Sequence, residues 1–171
     1  MSRERKRARS PLFWHVLLIA YIGLIFFHSL MPASQSSAES GFVLELIRGG
    51  LSRLGLDGGW LTEHMVRKFA HFSEYAGMGV LLSQSMRPAE RGTRVYRLHP
   101  YAVFFVPFTD ETIQLFVEGR SGQISDVWLD MSGAAAGLLI SALVYACLAA
   151  RAKRGPASGG SGAAKEKENG A

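Results

Sequence analysis

Ten side chains that can ionise or hydrogen-bond fall into three short blocks of this 171-residue chain: Lys68, His71, Glu74 and Tyr75; Asp110, Glu111, Gln114 and Arg120; Asp126 and Asp130. Their spacing is helical. Lys68, His71 and Tyr75 are separated by three and four residues and share one stripe, with Glu74 three after His71; Asp110 and Gln114 are four apart, as are Asp126 and Asp130. The five carboxylates outnumber the nearby bases Lys68, Arg120 and Arg67. Excess acid beside a histidine could hold a proton or a divalent cation. It could also serve acid/base chemistry, with His71, Glu74 and Asp110 as the catalytic candidates. His71-x-x-Glu74 alone is not a metal signature, so no metal ligand and no cofactor is assigned. A structural alternative stands beside these readings: Lys68 and Arg120 pair with Asp110, Glu111 or Asp126 and only fix helix register.

The elements that carry these blocks are apolar. Leu12 to Met31 holds no Asp, Glu, Lys or Arg, and further apolar stretches run from about 67 to 86, 100 to 117 and 127 to 150. Each is long enough for a helix to cross a hydrocarbon core, which takes about 17–25 residues. The expected fold is therefore all-α, a bundle of four transmembrane helices spanning about 12–31, 67–86, 100–117 and 127–150. A basic tail at 1–11 and a disordered, Gly/Ala/Ser-rich tail at 151–171 flank it. The mild mean hydropathy of +0.11 is then the average of an apolar bundle and strongly polar flanks. The lone Cys147 excludes an internal disulfide.

Fourteen of the 19 Lys and Arg residues lie before the first stretch, between the second and third, or after the fourth. This bias predicts a multi-pass protein of the inner membrane with both termini in the cytoplasm. The basic segments are short flanks of the spans, so the net charge of +5 reads as topology and no nucleic-acid partner is expected. The N-terminus also resembles a signal peptide, with Ser36-Ser37-Ala38 as a cleavage site, but its apolar run exceeds an ordinary 7–15-residue core and favours a retained anchor. In the long first outer loop, Val43, Leu46, Ile47, Leu51 and Leu54 recur at helical spacing, as in an interfacial helix or one packed over the bundle. With this orientation the three polar blocks share one depth, near the outer leaflet. In the fourth stretch the Asp126–Asp130 stripe continues through Gly133 and Gly137, small residues that allow close helix approach. Pro107 is expected to kink the third span one turn before Asp110, and His15, His28 and His64 read as satisfied polar residues.

The segment Lys68 to Gly79, KFAHFSEYAGMG, resembles the K-x-x-H-F-x-E-Y-x-x-x-G run of the VanZ-like membrane family. Asp110-Glu111 with Gln114, Phe116 and Arg120 is similar to that family's D-E-x-x-Q-x-F…R segment, and Asp126, Asp130, Gly133 and Gly137 to its D-x-x-x-(N or D)-x-x-G-x-x-x-G end. The resemblance covers Leu12 to about Ala150 and includes the His28-Ser29-Leu30-Met31-Pro32 exit from the first span. It implies a bacterial envelope role, since the namesake is associated with low-level resistance to the glycopeptide teicoplanin. The phosphotransbutyrylase label of some members finds no phosphate-cradling loop here. Three functions are carried forward. The first is a membrane protein that binds a lipid-linked or cationic envelope molecule at Lys68, His71, Glu74, Tyr75, Asp110, Glu111, Gln114, Arg120, Asp126 and Asp130. The second is a membrane enzyme acting on a lipid-linked phosphate headgroup. The third is a scaffold whose charges pair internally.

Overall fold

The computed structural model describes residues 11–87 and 94–154. They form five helices, α1 (Pro11–Ser29), α2 (Ala33–Arg53), α3 (Glu63–Met86), α4 (Arg94–Gln114) and α5 (Ile124–Arg154), with no strand among the described residues. The all-helical expectation holds, and α2 is the helix read from the periodicity of the long outer loop. By length and composition, two segments are apolar enough to cross a membrane, Leu12–Ser29 and Ile124–Ala152. The N-terminal basic tail, Arg91 and the segment from Gly155 onward lie outside the described residues.

Helix bounds depart from the apolar stretches in informative ways. α3 starts at Glu63 instead of 67, because Thr62 caps it, its hydroxyl accepting from Met65 N at 3.2 Å. α4 starts at Arg94, before the expected 100, and ends at Gln114, before the expected 117. It continues through Pro100 and Pro107, so the expected kink does not divide it. α5 runs from Ile124 to Arg154, past both expected ends and into the segment read as tail. Apolar composition marks what an element is solvated by; backbone bonding sets where it stops.

α3 is the central helix and touches each of the other four. Its partner α5 runs parallel to it: Lys68 meets Asp126, Ser83 meets Ser141 and Gln84 meets Tyr145. α1 runs antiparallel to α3, with Leu18 and Ile25 in the core beside Tyr75, Met78, Leu82, Val106 and Ala134. Large apolar side chains cover the outside instead, among them Ile19 and Phe27 of α1, Phe104, Phe105 and Phe108 of α4, and Leu139 and Leu143 of α5. An apolar exterior around a partly polar centre inverts the arrangement of a soluble bundle.

Close approach of α3 and α5 rests on glycine. A Cβ on Gly137 would stand 2.0 Å from the Ala76 carbonyl oxygen, and one on Gly133 2.4 Å from that of Phe72. Both obstacles are backbone, so the helices themselves must separate. Gly137→Ala is expected to destabilise the protein by at least the roughly 1–3 kcal/mol typical of overpacking. Thermal melting in detergent checks this, and an unchanged midpoint would show that the helices separate freely.

Candidate functional site

α3 delivers its polar residues in three directions. Lys68 and His71 face α5, Glu74 faces α1, and Tyr75 is fully buried against the end of α4. Lys68 Nζ donates to Asp126 Oδ1, which also accepts from the Ser125 hydroxyl. This realises one of the ion pairs open at the level of sequence, and it is partly exposed. His71 Nδ1 lies 3.8 Å from Asp130 Oδ1, whose side chain is completely buried. Glu74 Oε1 is 3.0 Å from His28 Nδ1, and its backbone carbonyl accepts from the Tyr21 hydroxyl. The expected Asp126–Asp130–Gly133–Gly137 stripe is thus the face of α5 that meets α3.

The end of α4 is organised by Gln114. Its amide nitrogen donates to Asp110 Oδ2 at 3.3 Å and to Glu111 Oε1 at 3.2 Å. The other oxygen of Glu111 accepts from the backbone N–H of Gln123, tying the turn before α5 to α4. That turn is tight. Gly119 has φ of 74°, and a Cβ on Gly122 would stand 2.3 Å from the Glu111 carbonyl oxygen.

Arg120 does something the sequence did not announce. It makes no ion pair with the carboxylates among the described residues; its guanidinium donates to two backbone carbonyls, Met31 at 2.9 Å and His28 at 3.3 Å. Both lie at or just past the C-terminal end of α1, where a cation is favoured; the His28 carbonyl also accepts from Met31 N. Burial pulls the Arg120 pKa below the usual arginine value, partly offset by Asp110 and Glu111. Nearby, Ala33 N donates to the Glu118 carbonyl, so the α1–α2 corner and the α4–α5 turn are joined twice.

Two cavities open on this cluster. The larger, about 390 Å³, lies between α1, α2 and α3; its polar wall includes His28, Arg67, His71, Glu74, Asp110 and Arg120. Apolar residues complete its lining, among them Ile25, Val43, Ile47, Val66 and Phe69. The smaller, about 170 Å³, is lined by His64, Arg67, Lys68, His71, Gln114, Arg120 and Asp126. His28 and Arg67 therefore belong to the cluster; His28 is a satisfied polar residue as read, and its partner is Glu74. Ser36, Glu39 and Ser40 of α2 also line the larger cavity, and nothing in their spacing marked them.

Not every polar atom in the cluster is satisfied. His71 Nδ1, Asp110 Oδ1 and both carboxylate oxygens of Asp130 are buried without a hydrogen-bond partner. The Tyr75 hydroxyl faces Asp110 and Asp130 but forms no well-shaped bond. His71, Asp110 and Asp130 each offer one atom within 4.8 Å of the others, and these three residues could hold a metal ion.

The family model described as VanZ/LLP1 matches residues 13–145, which takes in all ten side chains of the cluster. No curated protein and no solved structure matches the chain.

Proposed function

The chain belongs to the VanZ/LLP1 family, and from that premise we propose that it is a multi-pass protein of the bacterial inner membrane that binds a lipid-linked cell-envelope molecule near the outer leaflet. On this reading α1, α3, α4 and α5 all cross the bilayer. The apolar exteriors of α1, α4 and α5 support that topology. So does the central place of α3, which is surrounded by the other helices and needs little apolar surface of its own. The positive-inside bias places both termini in the cytoplasm and the cluster at the outer face.

The observation that carries the reading is the wall of the 390 Å³ cavity, which combines ionisable and apolar side chains. Its size falls within the roughly 300–1,000 Å³ range of ligand sites. An amphiphile fits such a wall. Its headgroup would meet Arg67, Arg120 and Glu74, and its chain would run along Val43, Ile47 and Phe69. Arg67 and Arg120 suit a phosphate-bearing headgroup. A role in envelope homeostasis, including altered teicoplanin susceptibility, follows if the captured molecule is a cell-wall intermediate.

Separate Glu74→Ala, Asp110→Ala and Asp126→Ala variants are expected to lose the envelope phenotype while accumulating to wild-type levels. The measurements are glycopeptide susceptibility of expressing cells and native mass spectrometry of co-purified lipids. Wild-type behaviour from all three would sink the reading. A second reading, an enzyme acting on the same headgroup, is favoured by His71 and Asp110 lining the cavity. Turnover of a lipid-linked phosphate by the purified protein would select it.

A further inference from the structure

We propose that His71, Asp110 and Asp130 form a binding site for one divalent transition-metal cation of the zinc or manganese class. The inference deepens the proposed ligand site and rests on that reading for what would fill the remaining coordination positions.

Three helices contribute one residue each, and their candidate ligand atoms lie within 4.8 Å of one another. Proximity alone would describe any acidic cluster. What separates these three from their neighbours is the state of their polar atoms. Glu74 is bonded to His28, Glu111 to Gln114 and Gln123, and Asp126 to Lys68 and Ser125. Asp130 is 0% exposed, and neither of its oxygens has a partner. Asp110 is 1% exposed and leaves Oδ1 unbonded, while His71 Nδ1 points at Asp130 without bonding it. Buried polar groups are satisfied in the great majority of cases, so acceptor atoms left over at one point call for a positive charge between them.

The chain's own cations are committed elsewhere. Lys68 is held by Asp126, Arg120 by the carbonyls of Met31 and His28, and Arg67 donates to the Ser37 hydroxyl. A divalent cation would neutralise the two carboxylates outright. One imidazole nitrogen with two carboxylate oxygens suits zinc or manganese better than calcium or magnesium, which prefer all-oxygen sites. Ligand bonds of about 2.0–2.2 Å to zinc place neighbouring ligand atoms roughly 3.3–3.5 Å apart. The His71 Nδ1 to Asp130 Oδ1 separation of 3.8 Å is close to that span. Three protein ligands leave at least one position open, and His71 and Asp110 both border the larger cavity.

The test uses the full chain in nanodiscs, stripped with EDTA and titrated with Mn²⁺ and with Zn²⁺ by calorimetry. One equivalent is expected to bind the wild type. His71→Gln and Asp130→Ala should each weaken binding at least about 100-fold, the upper end of what even outer-shell changes produce. Asp57→Asn, an exposed loop substitution, should leave binding intact. Should Asp130→Ala misfold, two wild-type readouts decide: Mn²⁺ raises the melting temperature, and pulsed electron paramagnetic resonance shows a nitrogen coupled to the bound Mn²⁺. Failure of the stripped wild type to take up either cation overturns the proposal, as does undiminished uptake by both folded variants. The ligand-site reading fails separately. It falls if Glu74→Ala, Asp110→Ala and Asp126→Ala all keep the phenotype, whatever the metal content, and it survives if Glu74→Ala loses the phenotype in a protein that binds no metal.

Discussion

Arg120→Ala is expected to destabilise the folded protein by roughly 2–4 kcal/mol, from the two charge-assisted bonds it removes, and to abolish ligand capture in the same stroke. The two effects share one cause. The guanidinium joins the α4–α5 turn to the last carbonyls of α1 and forms a wall common to both cavities. Without it the Met31 carbonyl loses its side-chain donor, the His28 carbonyl keeps only the backbone N–H of Met31, and the bond from Ala33 to Glu118 is what still ties the α1–α2 corner to the α4–α5 turn. Arg120→Lys separates the two roles. An ammonium restores the positive charge but lacks the planar fork that reaches two carbonyls at once. It should recover about half of the lost stability and leave headgroup binding well below wild type. Thermal melting and lipid retention by native mass spectrometry measure the two effects independently. Full recovery of both by lysine would reduce Arg120 to a point charge and remove its structural part.

Much of this site was legible in the sequence, and the limit of legibility has a physical form. Spacing within one helix fixes which side chains share a face. The stripe from Asp126 to Gly137 therefore came out whole, and its glycines meet the α3 backbone as their size requires. Partner choice between helices does not follow from spacing. Lys68 had three acids within reach of a sequence argument, and only the relative rotation of α3 and α5 selects Asp126. A carboxylate partner for Arg120 was one alternative at the level of sequence, yet the end of α1 offers it two backbone acceptors with no side chain to advertise them. His28 looked unremarkable because its meaning depends on Glu74, 46 residues away. α2 was visible as a helix from its apolar period, but Ser36, Glu39 and Ser40 in its first half gave no sign that they line a cavity with Val43 and Ile47. Hydropathy was the least transferable signal. It marks α1 and α5 and passes over α3 and α4, whose apolar stretches are interrupted by ionisable residues such as Lys68, Glu74, Asp110 and Glu111.

Asp130→Asn should make the metal-free protein more stable while weakening what the site can hold. In the wild type His71 Nδ1, Asp110 Oδ1 and both Asp130 oxygens are buried without a hydrogen-bond partner, and the Tyr75 hydroxyl that faces the two acids bonds neither. Burying polar atoms in this state costs roughly 1–3 kcal/mol for each unsatisfied group. An asparagine has the same shape and brings an N–H₂ that can donate to Asp110 or His71. The expected gain is about 1–3 kcal/mol, read as a rise of roughly 2–4 °C per kcal/mol for a chain of this length. With Zn²⁺ or Mn²⁺ at 100 times the wild type's dissociation constant the gap closes, and reverses for a gain in the lower part of that range, because binding adds about 2.7 kcal/mol to the wild type. The asparagine variant, with a neutral oxygen in place of a charged one, gains less. A stability that falls on substitution, with and without metal, would mean that the Asp130 oxygens are already satisfied as structural acceptors, and the case for a cation between the three side chains would go with it. A stability that crosses over with metal concentration has a different meaning: the acid is retained at the expense of the fold, as expected of a residue selected for what it binds.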